Sequence, residues 1–203
     1  MVTPNGLTWR IRRILRHVGG RFDFEDDCYD DRAVFDRFER RQPIRMARRG
    51  NIGQGNPYVG RILDAGQFRD GLVLHFGHDA VPLDLEKSNN VVVRRHIMSD
   101  GSNTVQDWLA WLALIKLGAE CIRRGTNVLC TCDAGVSRST TSAASIVAYV
   151  EDVPMNYNTL ARELRNKQWD GVTGEFLPSE RLWSEARVAL DVLREWESGE
   201  AGA

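Results

Sequence analysis

A chain of 203 residues, 42% of them hydrophobic, is long enough to enclose one sizeable core but short for two full domains. Its formal net charge of −1 gives no overall attraction to nucleic acid or to an anionic membrane, so either partner would need a local basic patch. Four cysteines show neither metal-binding spacing nor the density of a secreted disulfide scaffold. No apolar run approaches the ~18 residues of a membrane span. We therefore expect a soluble cytoplasmic protein with no membrane span.

The first 55 residues are interpreted as an extension that precedes the main domain. Residues 7–18 place apolar side chains on one helical face and arginines largely elsewhere, which predicts a short basic amphipathic helix. Such a helix could contact a membrane, RNA or a protein; we favour a helix packed on the domain with a solvated arginine face. An acidic stretch and an arginine-rich stretch follow it. We expect an extension over residues 1–55 and a main domain over residues 56–198.

Two runs rich in β-branched residues, at 71–76 and 91–98, predict strands separated by a polar loop. His75 and His78 follow one another closely at the end of the first run and could be taken for a metal pair. Acidic or cysteine ligands at a suitable spacing are missing, so both are interpreted as ordinary polar residues at a strand end. We predict no metal site.

Residues 104–124 carry apolar side chains at helical spacing, which predicts a helix that ends near Gly125. Two pairs could cap its start: Asn103 with Gln106, or Thr104 with Asp107. Residues 127–131, with the apolar residues Val128 to Cys130 at their centre, then predict another strand. A strand, a helix and a strand in this order form a crossover connection, which predicts parallel pairing in the sheet.

The segment that organises the chain is residues 128–140, V-L-C-T-C-D-A-G-V-S-R-S-T. Its apolar run ends at Cys132, a turn with Gly135 follows, and Arg138 leads into a predicted helix. Backbone N–H groups of the turn and of the first helical turn would converge on one point, which favours an oxyanion there. Arg138 can bind two phosphate oxygens at once, and the same positive field favours the reactive thiolate of Cys132.

The sequence C-D-A-G-V-S-R-S-T resembles the signature loop of cysteine-dependent protein tyrosine phosphatases, and is most similar to that of the dual-specificity branch. The resemblance implies that Cys132 is the nucleophile and that Ser139 assists the thiolate's departure when the intermediate is hydrolysed. It also implies a phosphate-binding loop made of Asp133, Ala134, Gly135, Val136, Ser137 and Arg138. Thr131 departs from the pattern, since the family usually has histidine immediately before the nucleophile.

A second segment, H-I-M-S-D-G, resembles the strand and loop on which these phosphatases carry their general acid. The resemblance assigns that role to Asp100, which would protonate the leaving oxygen and later activate water. Asp107 is the nearest competitor. We favour Asp100 because it lies in the loop rather than at the start of the helix.

The last third of the chain predicts helices over residues 158–168 and 179–197. The segment F-L-P-S-E-R-L resembles the family's turn before its last helix, although Ser179 stands where asparagine is usual. Together with the strands, the resemblance implies an α/β fold with a central, mainly parallel β-sheet flanked by helices. A helical or irregular N-terminal extension would precede this fold.

The sequence thus predicts a cofactor-free and metal-free phosphomonoester hydrolase that acts on phosphotyrosine or on phosphoserine and phosphothreonine in proteins. Asp133 and Val136 in the loop disfavour a polyphosphorylated ring by charge. Thr131 leaves open an inactive phosphoprotein-binding relative, and the basic N-terminus leaves open an RNA 5′-phosphatase, although we do not favour nucleic acid. A rhodanese-like sulfur carrier also uses a cysteine loop, but the A-G-V-S-R-S-T continuation argues against it.

Overall fold

The computed structural model describes residues 55–82, 91–156 and 178–199, together with Ile11, Leu85 and the backbone of Ile44–Arg45. The predicted helix over 158–168 and, apart from the buried helical residue Ile11, the predicted helix over 7–18 lie outside the described residues. Five strands are present in this part: β1 Ile44–Arg45, β2 Pro57–Arg61, β3 Gly71–His75, β4 Val91–Arg95 and β5 Val128–Cys132. The helices are α1 Val105–Arg123, α2 Arg138–Glu151 and α3 Glu180–Glu197, with a 3-10 helix at Ile62–Gln67.

The strands form one sheet in the order β1, β2, β5, β3, β4. Strands β2, β5, β3 and β4 pair in parallel, and β1 pairs antiparallel with β2 at one edge. The prediction of a central, mainly parallel sheet flanked by helices is therefore confirmed. The carboxyl ends of the parallel strands meet at one edge of the sheet, and the central strand β5 brings Cys132 to that edge.

Strand β1 lies within the segment that the sequence analysis assigned to an extension. Its register places Ile44 opposite Val59 and Arg45 opposite Tyr58. Two residues are too short a run for the alternation pattern that identifies a strand. The extension thus contributes an edge strand, and the boundary at Asn56 stays a prediction.

Helix α1 begins with the capping pair Thr104 and Asp107, one of the two pairs that the sequence predicted. Thr104 Oγ1 accepts a hydrogen bond from the Asp107 N–H, and the Asp107 carboxylate accepts one from the Thr104 N–H. This reciprocal arrangement is a capping box, which satisfies donors that have no partner inside the helix. The alternative pair fails because the Asn103 side chain instead bonds to the backbone of Ser99.

The sheet is covered on both faces, as its alternating side chains require. One face packs against the three helices, where Trp108 and Trp111 of α1 are fully or almost fully buried. The other face packs Val73 and Leu129 against the 3-10 helix. Both tryptophans are therefore core residues. Among the described residues, no helix combines the length and hydropathy needed to cross a bilayer.

Candidate active site

The signature loop occupies the turn between the end of β5 at Cys132 and the start of α2 at Arg138. Gly135 adopts φ +71°, a left-handed conformation that disfavours any residue with a side chain. A Cβ at this position would lie 2.9 Å from the backbone N of Arg61. The glycine therefore lets the loop turn tightly against the end of β2.

Helix α2 begins without the usual side-chain cap. Ser137 is its N-cap residue, but the Ser137 hydroxyl makes no capping hydrogen bond. It instead accepts a hydrogen bond from the Ser179 N–H at 3.0 Å. The first turn of a helix carries N–H donors without intrahelical partners, so this end of α2 suits an anion.

Cys132 lies at the floor of this loop, and only 1% of the residue is exposed. Its Sγ lies 3.3 Å from the Ser139 hydroxyl oxygen, to which the thiol can donate. After ionisation of the thiol, the same hydroxyl can donate to the sulfur. Cys130 differs because burial in the core raises the pKa of its thiol, and the neighbouring Cys132 raises it further. Cys130 is therefore a core residue without a reactive thiolate.

The Arg138 guanidinium is held at one end by backbone carbonyls. Its Nη1 donates to the carbonyl oxygens of Phe76 at 3.3 Å and Met98 at 3.2 Å. Its Nη2 donates to Asp133 Oδ2 at 2.7 Å. The Nε atom is buried, lies 3.5 Å from Asp100 Oδ2, and has no hydrogen-bond partner within the described part of the chain. The Nε–H group of Arg138 is thus a hydrogen-bond donor that has no acceptor among the described residues.

The electrostatics keep this cation charged. Burial alone would lower the pKa of Arg138, but Cys132, the hydrogen bond to Asp133 and the charges of Asp133 and Asp100 together raise it above its ordinary value. Only 11% of the Arg138 side chain is exposed, against 47% for Asp100. Asp100 therefore lies on the solvent side of the guanidinium.

The loop of Asp100 is tied to the rest of the site by Ser179. The Ser179 hydroxyl donates to the Asp100 carbonyl at 2.8 Å, and its oxygen also accepts from the Leu182 N–H at the start of α3. Together with its hydrogen bond to Ser137, Ser179 connects the loop of Asp100, the signature loop and α3. A serine thus meets the needs of this position, although the resemblance expects asparagine.

The Asp107 carboxylate contacts different groups from the Asp100 carboxylate. Its carboxylate belongs to the capping box of α1 and lies 3.6 Å from His96 Nε2. The sequence analysis named both carboxylates as candidate acids. Of the two, the structure brings Asp100 to Arg138.

The Asp133 side chain has contacts that the sequence analysis did not foresee, since it considered the backbone N–H and the charge of this residue but not the partners of its carboxylate. Asp133 Oδ1 accepts from the Asp79 N–H at 2.9 Å, while Oδ2 accepts from Arg138. Burial would raise the pKa of Asp133, but the hydrogen bonds from Asp79 and Arg138 lower it below its ordinary value. The carboxylate therefore carries its charge beside the guanidinium. The phosphate-binding role of the N–H groups of Asp133, Ala134, Gly135, Val136, Ser137 and Arg138 stays a prediction.

His75 lies at a strand end, as expected. It is also fully buried, and its ring bonds to Thr131, next to Cys132, a contact that the sequence analysis did not foresee. No local pattern indicates this contact, since it depends on the register of β3 against β5. Among the described residues, no group of three or more His, Cys, Asp or Glu side chains could hold a metal ion.

Comparison with known proteins identifies the fold. No protein-family model matches the sequence, and no curated protein matches it. A single-residue variant of human DUSP28 has a similar structure, with a TM-score of 0.52 and 11% sequence identity, over 77% of this chain and 99% of that chain. A mouse putative dual specificity phosphatase, complexed with zinc tungstate, matches with a TM-score of 0.51 and 12% identity, over 70% of this chain and 86% of that chain. The chain therefore has the fold of the cysteine-dependent, dual-specificity-like protein tyrosine phosphatases.

Proposed function

We propose that this protein is a cysteine-dependent phosphomonoester hydrolase that acts on phosphorylated proteins. The observation that carries the proposal is the arrangement of Arg138, whose buried Nε lacks an acceptor beside Asp100 and the Cys132 loop. A phosphate oxygen is an acceptor of the right charge for that donor.

In the first step, the Cys132 thiolate attacks phosphorus, so that an S–P bond forms while the ester P–O bond breaks. The electron pair of that bond leaves with the ester oxygen, which takes a proton from the Asp100 carboxylic acid. Arg138 and the loop N–H groups stabilise the charge on the other phosphate oxygens. The products are an alcohol or phenol and a phosphocysteine.

In the second step, water attacks the phosphocysteine and gives its proton to the Asp100 carboxylate. The S–P bond breaks, inorganic phosphate leaves, and the sulfur returns to the thiolate. The Ser139 hydroxyl, 3.3 Å from Sγ, donates a hydrogen bond to the departing sulfur. No cofactor or metal takes part in either step of the proposal.

A phosphoprotein-binding module without turnover is the second candidate. It is suggested by Thr131 and Ser179, which stand where the resemblance expects histidine and asparagine. The Asp133 carboxylate, which accepts from Arg138 Nη2 at 2.7 Å, competes with phosphate in both candidates and does not separate them. The residues that suggested an RNA 5′-phosphatase lie in the N-terminal segment, outside the described residues apart from Ile11. The described contacts therefore favour the hydrolase first and the binding module second.

The test is hydrolysis of p-nitrophenyl phosphate by the purified full chain. Orthovanadate and EDTA are added in separate assays. We expect turnover that orthovanadate blocks and EDTA leaves unchanged. Phosphotyrosine and phosphothreonine peptides are titrated in parallel by calorimetry. Peptide binding without turnover would contradict the hydrolase and support the module, and loss of turnover in EDTA would contradict the metal-free mechanism.

A further inference from the structure

His75 and Thr131 form the only described side-chain pair that joins β3 to the residue immediately before the nucleophile. The two residues lie opposite each other in the parallel ladder. Both are fully buried, with 0% exposure. A buried polar pair is costly unless its hydrogen bonds are made, so its partners can be assigned one by one.

The partners fix which ring nitrogen carries the proton. His75 Nε2 lies 3.0 Å from the Asp79 carbonyl oxygen, which can only accept, so Nε2 carries the hydrogen. Nδ1 lies 3.0 Å from Thr131 Oγ1 and is therefore the acceptor of the Thr131 hydroxyl. The other acceptor near that hydroxyl, the Leu74 carbonyl, is more distant at 3.5 Å. The chain of donation runs from Thr131 through His75 to Asp79.

Burial, together with the surrounding charges, keeps the ring in this neutral form. Burial lowers the pKa of His75 to about 4, and the positive charges of Arg95 and Arg138 lower it as well, against opposing contributions from Asp133 and the Asp79 carbonyl. A ring with such a pKa is neutral at pH 7 and keeps Nδ1 free to accept. This agrees with the assignment from the hydrogen bonds.

Asp79 links His75 to Asp133, which follows Cys132 in the chain. Its N–H donates to Asp133 Oδ1, and Asp133 Oδ2 receives Arg138. Thr131, Cys132 and Asp133 are consecutive, so the hydrogen bonds through His75 and Asp79 close a ring around Cys132. Cys132 is the one residue of that triplet whose side chain takes no part in these hydrogen bonds.

Two further contacts fix the short segment that carries Asp79. Arg95 Nη2 donates to the His78 carbonyl at 2.7 Å. A Cβ on Gly77 would lie 1.9 Å from Asp133 Oδ1 and 2.8 Å from His75 Cε1, so the segment fits only without a side chain there. The close packing leaves the imidazole and the Asp133 carboxylate little freedom to move.

We propose that His75 is a positioning residue of the hydrolase, which acts through Thr131 and Asp79 to hold the two residues that flank Cys132. The inference rests on the proposed function. It assigns to a buried imidazole on the neighbouring strand the task of shaping the nucleophile loop. It also explains why Thr131 is compatible with a working loop, since its hydroxyl meets that imidazole.

The test compares Thr131→Val, Thr131→Ser, His75→Phe and the double variant with valine and phenylalanine. Three quantities are measured: kcat and KM for p-nitrophenyl phosphate, and the rate at which iodoacetamide alkylates Cys132 at pH 7, which peptide mass spectrometry follows. Thr131→Val removes the hydroxyl at nearly constant shape, and Thr131→Ser restores it. His78→Phe is the matched control, because the His78 side chain is exposed.

We expect Thr131→Val and His75→Phe each to lower kcat by about tenfold and to slow alkylation, with KM changed by less than about twofold. The double variant should be no slower than the slower single variant, because both changes break the same hydrogen bond. Thr131→Ser should recover most of the lost rate, and His78→Phe should keep the wild-type rate.

The inference is overturned if Thr131→Val matches the wild type in kcat and in alkylation, or if the two single effects multiply in the double variant. Should His75→Phe fail to fold by circular dichroism, the comparison of Thr131→Val with Thr131→Ser decides alone. A wild-type chain without turnover would contradict the proposed function. The alkylation rates would then decide whether the His75 network positions Cys132.

Discussion

Replacing Cys132 with serine is expected to reduce hydrolysis of p-nitrophenyl phosphate by at least about a thousandfold. An alkoxide is far harder to generate than a thiolate at neutral pH, because a serine hydroxyl is a much weaker acid than a cysteine thiol. Oxyanion binding should persist, because it depends on the loop and on Arg138. Steady-state kinetics and calorimetric titration with phosphate measure the two effects separately.

The matched control for this change is Cys121→Ser. Cys121 is a free, half-buried cysteine on α1, away from the signature loop. This variant should keep the wild-type rate. A Cys132→Ser protein that retained more than a few per cent of the wild-type turnover would refute the role given to the thiol.

Asp100→Asn is expected to lower kcat by about a hundredfold for a phosphate ester with a poor leaving group, such as phenyl phosphate. The amide occupies the same space, 3.5 Å from Arg138 in the wild type, but has no acidic proton to give. For p-nitrophenyl phosphate the loss should be smaller, since p-nitrophenolate departs readily without a proton. The ratio of kcat values between the two esters is the measurement.

Asp107→Asn provides the comparison for the acid. Asp107 accepts from the Thr104 N–H in the capping box of α1. Asparagine can still accept this hydrogen bond but lacks the negative charge that stabilises a helix N-terminus, so the change should cost about 0.5 kcal/mol in the free energy of unfolding. Turnover of both esters should stay close to that of the wild type. If Asp107→Asn lost turnover with the leaving-group dependence described above and Asp100→Asn did not, the assignment of the acid would be reversed.

Local sequence patterns determined much of the architecture. The apolar run up to Cys132 and the turn with Gly135 predicted the strand, loop and helix that the structure contains. The start of α1 was narrowed to two pairs because capping is a contact between residues close in sequence. The site residues Cys132 and Arg138 came from the same short motif, since loop and helix start are continuous in the chain.

Features that depend on register or on distant side chains could not be predicted. The contact between His75 and Thr131 requires β3 and β5 to be adjacent at a known register, which no periodicity reveals. From the sequence, Asp133 could be assigned a place in the loop and a charge but no side-chain partner, because its carboxylate contacts depend on the segment that carries Asp79. The edge strand β1 was missed because two residues carry no pattern.

The central claim is that phosphate passes through the Cys132 sulfur, and trapping that intermediate tests it most directly. The wild-type protein is mixed with p-nitrophenyl phosphate, quenched in acid within milliseconds, digested and analysed by mass spectrometry. The account predicts a phosphorylated peptide in which Cys132 carries the phosphate. Turnover with no phosphorylated residue, or with the phosphate on any residue other than Cys132, would contradict it.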